Sequence, residues 1–250
     1  MALMVLKFGG TSVADSGCIR NICTRIARLH DQGNQVVVVL SAQGHTTDHL
    51  MDQALELNPN PSGRELDMLL TTGEQISIAL ATLCMAHMGY DAVSLTGSQA
   101  GIHTNSDFTQ AQIQSITPTA IRQELARGRI VFVAGFQGVD DQGNLTTLGR
   151  GGSDTTAVAL AAALRADVCQ IYTDVDGVYT ADPRKDPTAT KLEEISYEAM
   201  LDMAQHGAQV LHDRCVILAR RHHIPLEVRS SFVDVPGTWV RDTVSQVHAS

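Results

Sequence analysis

Aromatic side chains are scarce in this 250-residue chain, at 4%, and no apolar run is long. The longest, Ala157 to Leu164, falls far short of the roughly 20 residues that a bilayer-spanning helix needs. Cysteine is limited to five residues, an odd number without a CxxC pair, which fits a reducing cytoplasm better than a disulfide framework. Cys18 and Cys23 do not share a helical face and are read as core or solvent thiols. A formal net charge of −9 argues against nucleic acid or an anionic membrane as partner. Met1 to Leu6 runs straight into Lys7 and reads as a strand, not a secretion signal. Three nucleotide-site signatures are also absent. There is no GxxxxGK[ST] loop, no HRD and DFG set, and no GxGxxG opening a helix. Internal repeats and low-complexity segments are lacking too.

The chain instead holds alternating apolar strands and helices, rich in alanine and valine. Strands are expected at Leu3–Phe8, Gln35–Leu40, Asp91–Leu95, Ile130–Ala134, Val168–Thr173 and Leu226–Val228. Helices are expected from Asp15 or Ser16 to His30, from the 41–48 loop to Leu57, and from Arg64 to Met88. The last has Leu66, Leu69, Leu70, Ile76, Leu80 and Leu83 as its apolar side and a break at Gly73-Glu74. Pro118 opens a helix ending at Gly128, and two more cover about 197–206 and 210–222. Gly97 to Phe108 reads as a polar segment, and Gly138 to Asn144 as a hairpin turn. The alternation implies an α/β domain with a mostly parallel sheet, whose ligands sit outside the strands' carboxyl ends. The polar loops at residues 7–12, 41–48, 149–154 and 173–184 all fall there.

Two of these loops have the chemistry of an anion site. Leu148-Gly149-Arg150-Gly151-Gly152-Ser153-Asp154-Thr155-Thr156-Ala157 joins three glycines, an arginine and a carboxylate just before a helical run. Lys7-Phe8-Gly9-Gly10-Thr11-Ser12 is a second glycine turn after an apolar strand. Glycine lets backbone N–H groups approach a ligand, and a helix start offers unpaired donors and a positive dipole end. An arginine fork suits carboxylate or phosphate oxygens. The competing reading is a plain glycine turn with Ser153 or Asp154 as helix cap. One lysine, glycine-bounded donors, an arginine and several acids are parts that phosphoryl transfer requires. Residue chemistry alone carries the reading no further than a cationic, glycine-lined rim.

These two stretches, together with Ile171 to Arg184, resemble the signatures of the aspartokinases of the amino acid kinase superfamily. Leu40-Ser41-Ala42, Thr46-Thr47-Asp48, Gly73-Glu74, Ser98 to Ile102 and Val210-Leu211-His212 match in the same order, so that the resemblance runs from Val5 to about Thr238. It implies a single amino acid kinase domain over 1–250, a three-layer αβα sandwich around about eight strands. An aspartate lobe would cover about 1–140 and a nucleotide lobe about 141–240. The implied reaction is MgATP-dependent phosphorylation of the β-carboxylate of L-aspartate to 4-phospho-L-aspartate, the entry to lysine, threonine and methionine synthesis. By the resemblance, Lys7, Arg150 and Asp154 are catalytic. Ser41, Thr47, Glu74, Arg150 and Ser153 bind aspartate, Glu74 through its ammonium group. Lys7, Phe8, Gly9, Gly10, Thr173, Asp174, Tyr179, Asp182, Arg184 and Gln209 line the nucleotide site. Alternatives on the same fold are another carboxylate acceptor and a non-catalytic nucleotide-binding protein.

The chain departs from the family at several points. Gln209 stands where many aspartokinases carry a lysine near the phosphates, which Arg184, Lys191 or Arg214 could replace. Asp213 stands for a common proline and Gln43 for a common methionine. Tandem ACT domains, which bind inhibitory amino acids in most aspartokinases, have no counterpart within these 250 residues. The chain alone is therefore expected to escape inhibition by lysine or threonine, and a separate ACT-containing regulatory chain is one conceivable partner. Superfamily practice suggests a cytoplasmic homodimer. No protein-held metal is expected. Asp174-Val175-Asp176-Gly177 opens like a calcium loop but lacks its glutamate, and His45, His49, His222 and His223 read as exposed. Met68, Met85, Met88, Met200 and Met203 read as core filler.

Overall fold

The computed structural model describes residues 1–181, 186, 188–205 and 210–242. Its strands are β1 (Leu3–Phe8), β2 (Gln35–Leu40), β3 (Ala92–Leu95), β4 (Ile102–Thr104), β5 (Ile113–Ile116), β6 (Ile130–Ala134), β7 (Gln137–Val139), β8 (Leu145–Thr147), β9 (Val168–Thr173), β10 (Glu194–Ile195), β11 (Leu226–Ser230) and β12 (Thr238–Val240). Its helices are α1 (Ser16–Asp31), α2 (Thr46–Leu57), α3 (Gly63–Leu70), α4 (Thr72–His87), α5 (Thr119–Ala126), α6 (Gly152–Leu164), α7 (Tyr197–Gln205) and α8 (Asp213–His222).

Eight strands form the main sheet in the order β10-β12-β11-β9-β1-β2-β6-β3, parallel from β11 to β3 and antiparallel between β11 and β12. The runs QVVVVL and IVFVA are interior strands covered by helices on both faces, so every residue there can be apolar. Alternation splits β2 between two cores. Val36, Val38 and Leu40 pack with Ile19, Ile22 and Ile26 of α1 and Ile78 and Met85 of α4. Val37 and Val39 pack with Ile121 of α5, Leu160 of α6 and Val216 of α8. The result is the expected three-layer αβα sandwich. β1 pairs with β2 on one edge and β9 on the other. Strand order reverses there, and a crevice opens beyond the strands' carboxyl ends.

Several details differ from expectation. Gly97–Phe108 is not only turn, since it contains β4, which with β5, β7 and β8 builds a second sheet of order β5-β4-β7-β8. Strands of three or four residues are too short for alternation to register. The helical rod after Gly63 breaks at Thr71 rather than at Gly73-Glu74. The Thr71 carbonyl accepts a hydrogen bond from Gln137 Nε2 at 2.9 Å. Leu66 and Leu70 are buried, but Ile76, Leu80 and Leu83 face outward. The inward side of α4 is Gly73, Glu74, Ser77, Ile78, Ala81 and Met85. Small residues win that face because the helix start lies tight on the end of β2; a Cβ at Gly73 would come within 2.8 Å of Ala42 Cβ. Met85 and Met200 are core, whereas Met68 and Met88 are exposed. The last helix begins at Asp213 instead of Val210, after an extended His212 whose carbonyl accepts from Cys215 N.

Candidate active site

The first glycine turn is locked in place by its neighbours. Ser12 N donates to Gly9 O, and Gly44 N donates to Gly10 O, both at 3.0 Å. A Cβ on Gly10 would lie 2.9 Å from Ala42 O, so only glycine permits this approach of the turn to the loop after β2. Ser12 Oγ and Ser231 Oγ are 2.5 Å apart, which ties the turn to the residue following β11. Phe8 is wholly buried and stacks on Tyr172 with ring centroids 4.5 Å apart, so its side chain is structural.

The second glycine loop enters α6 through Gly149 and Gly151, both at φ 71°, in the left-handed region where glycine is at ease. Gly151 also lies against the His212 ring, which a Cβ would approach to 2.4 Å. Gly151 itself is the N-cap, and no side chain caps the helix. Ser153 and Asp154 thus lie inside the first turn of α6 and face the crevice, which disposes of the plain-cap reading. Gly135, at the end of β6, makes room for Ser153, whose Oγ would lie 2.8 Å from a Cβ there.

A cavity of about 430 Å³ gathers the loops, and its lining includes Lys7, Gly10, Ser41, Thr47, Glu74, Arg150, Ser153 and Asp154. Lys7 Nζ is 2.7 Å from Asp154 Oδ1, and both side chains are almost buried. Arg150 is exposed at the mouth and pairs with no carboxylate among the described residues. Glu74 is only 2% exposed. Its Oε1 accepts from Ala42 N at 3.1 Å, while Oε2 has no protein partner. Burial pushes its carboxyl up to about 8. All the residues assigned to aspartate therefore share one cavity, whose lining holds two cationic side chains and a buried acid.

The nucleotide residues are more dispersed. Thr173 ends β9, directly after Tyr172, whose carbonyl lies beside Gly9. Its Oγ1 donates to Asp174 Oδ1 at 3.1 Å. Tyr179 donates its hydroxyl proton to Asp176 Oδ1, which with Lys191 holds that carboxyl below the usual range despite partial burial. Asp182, Arg184 and Gln209 lie outside the described residues. Of the proposed stand-ins for the missing lysine, Lys191 is bound to Asp176 Oδ2 and Pro236 O. Arg214 instead donates to Leu148 O at 3.1 Å, beside the Arg150 loop. No group of three or more His, Cys, Asp or Glu side chains suited to a metal occurs among the described residues. His45, His49, His222 and His223 are exposed.

Residue patterns missed Asp67, Thr109, Phe136 and Thr147; the last three line the cavity. Asp67 was detectable in principle, because it stands seven residues before Glu74, two helical turns away on the same side.

The model for the amino acid kinase family matches residues 2–230. An aspartokinase of Mycolicibacterium smegmatis is 54% identical over 248 residues, 99% of this chain and 59% of that protein. The chain thus spans about 59% of the length of such curated relatives. The crystal structure of aspartate kinase from Synechocystis superposes with a TM-score of 0.86 at 50% identity, over 97% of this chain and 40% of that one. E. coli aspartokinase III in complex with aspartate and ADP gives 0.85 at 29% identity, over 98% and 65%. With its αβα sandwich, its two glycine turns and this match over nearly the whole length, the chain belongs to the amino acid kinase family.

Proposed function

We propose that the chain is the catalytic part of an aspartate kinase, transferring the ATP γ-phosphoryl group to the β-carboxylate of L-aspartate. The observation that carries this reading is the 430 Å³ cavity with Lys7, Arg150 and Glu74 on its walls. An acidic amino acid has one ammonium and two carboxylates. Glu74 Oε2 is a buried oxygen without a hydrogen-bond partner, and an ammonium beside it would draw the carboxyl into its ionised, accepting form. Arg150 is a fork without a carboxylate of its own among the described residues, which suits the α-carboxylate. Ser41, Thr47 and Ser153 supply the neutral hydrogen bonds between them.

The β-carboxylate then points toward Lys7. The amides of Gly9 and Gly10 and the first turn of α6 direct donors at phosphate oxygens. Lys7 neutralises the charge that shifts between donor and acceptor oxygens, and Asp154 keeps its ammonium on the axis of transfer. No general base is needed, since a carboxylate is already a nucleophile. Magnesium would travel with the ATP phosphates and offset their charge. Thr173, Asp174 and Tyr179 would border the nucleotide next to Gly9.

An ATP-dependent hydroxamate assay across a panel of acids tests the reading. L-aspartate is expected to give the hydroxamate well above L-glutamate, succinate and N-acetylglutamate. Preference for another acid would move the assignment to that acceptor, and no ADP release with any acid would remove catalysis. The outward row Ile76, Leu80 and Leu83 on α4 supports a homodimer in which this helix packs on its own copy. E. coli aspartokinase III was crystallised with aspartate and ADP, in keeping with the acceptor and the product nucleotide of the reaction proposed here.

A further inference from the structure

Asp67 lies in α3 with no exposed surface and touches nothing in the cavity. Its carboxylate nevertheless accepts from two chain segments that do. Thr109 N donates to Oδ1 and Oδ2 at 3.1 and 2.9 Å. Thr147 donates twice, from N to Oδ2 at 2.9 Å and from Oγ1 to Oδ1 at 2.7 Å. Burying a carboxylate is costly unless its oxygens are satisfied, and satisfying these oxygens fixes where the donors of both segments lie.

Those partners belong to the cavity lining. Thr109 has φ 70°, a left-handed conformation that a β-branched residue enters only under constraint. Its carbonyl lies 3.2 Å from where a Gly149 Cβ would be, one residue before Arg150. Thr147 ends β8 two residues before Gly149, and its carbonyl accepts from Ala111 N at 2.8 Å. Farther along the helical rod that carries Asp67, Leu70 and Glu74 also line the cavity. One buried carboxylate therefore bolts the rod bearing Glu74 to the strand and loop that lead into Arg150.

We infer that Asp67 is a positioning residue that sets the span between Glu74 and Arg150, and with it the length of amino acid the acceptor pocket takes. The inference rests on the acceptor reading above in assigning those two residues to the ends of one ligand. A carboxamide in place of the carboxylate would turn one acceptor oxygen into a donor facing an N–H, releasing one of the two segments.

In Asp67→Asn, the KM for L-aspartate is expected to rise about tenfold or more, the scale of one buried hydrogen bond to a charged group. The KM for ATP should stay within about twofold, and preference for L-aspartate over L-glutamate should narrow. Thr147→Val, which removes only one of the four bonds, should move the same quantities less. Amide shifts of the free protein supply a readout that needs no turnover. Gly149, Arg150 and Ser153 should move in both variants, with Gly9, Gly10 and Thr173 unchanged. Equal rises in both KM values, or amides at 149–153 that stay in place, would overturn the inference. If the parent protein phosphorylates no amino acid, the acceptor reading fails, and the amide comparison still decides whether Asp67 sets this part of the lining.

Discussion

Lys7 and Asp154 meet at 2.7 Å across the crevice, one at the end of the first strand and the other in the first turn of α6. The pair places a cation, held from behind by an anion, where the two glycine turns converge. Lys7→Ala is expected to lower kcat by at least 10²–10³-fold, the cost of losing one preorganised charge-stabilising donor. It leaves Asp154 without its cation in a nearly buried position, which should cost about 3 kcal/mol of stability while the fold persists. Steady-state kinetics and urea unfolding measure the two effects separately, and near-native turnover would remove Lys7 from its role.

Arg150 should behave differently, because it is exposed and pairs with no described carboxylate. Arg150→Lys keeps the charge but loses the planar fork, so the KM for L-aspartate should rise about tenfold or more, with stability unchanged within about 0.5 kcal/mol. An unaltered aspartate KM would place the carboxylate elsewhere.

Glu74 makes the protein sensitive to pH near neutrality. Its carboxyl is raised to about 8 by burial, while in the unfolded chain it ionises near 4.5. Between these values the folded state holds a proton that the unfolded state has released. Its stabilising contribution is thus complete below the lower value and disappears as pH rises through the upper one. Glu74→Gln should match the parent in urea unfolding at pH 5 and exceed it at pH 8.5 by a few kcal/mol, on the order that such a displacement implies. An ammonium docking beside Oε2 favours the carboxylate. Binding of L-aspartate at pH 7 should therefore release close to one proton, read by calorimetry in buffers of different ionisation enthalpy.

Glycine positions separate backbone strain from crowding. Gly151→Ala meets both, with φ 71° and the His212 ring where its methyl would go, and should cost about 3 kcal/mol. Gly33→Ala has φ 84° but open space around the added Cβ, and should cost only about 1 kcal/mol. Equal losses in thermal unfolding would mean that His212 yields freely.

Self-association through α4 is open to a direct check. Leu83 is the most exposed of the apolar row, at 67%. Leu83→Glu should convert a dimer to a monomer in light scattering without altering the far-ultraviolet spectrum; an unchanged mass would place any interface elsewhere.

What could be read from residues alone divides along physical lines. β2 and β6 were delimited to the residue because strands covered on both faces are continuous apolar runs that polar turns interrupt abruptly. The cavity was legible because glycine, lysine and arginine clustered at strand ends have few other uses there. The second sheet was hidden by its brevity, and the inward side of α4 was misjudged because leucine and isoleucine outweigh glycine, serine and alanine in any count of hydrophobicity. Close approach to β2 reversed that preference. Asp67 shares a helical side with Glu74, but what it holds comes from segments far along the chain, which helical spacing alone does not identify.

The position of β1 has a consequence for how the polypeptide acquires its shape. Both its edges are occupied, by β2 and by β9, and its turn is held by Ser231 beyond β11. A nascent chain that has emerged only through the fourth helix therefore has a central strand paired with β2 alone, open on the edge that β9 will fill, and an unbuttressed turn. The phosphate-facing geometry can be completed only when residues some two hundred positions later have docked, so its assembly is set by the slow closure of long loops rather than by the quick formation of neighbouring helices.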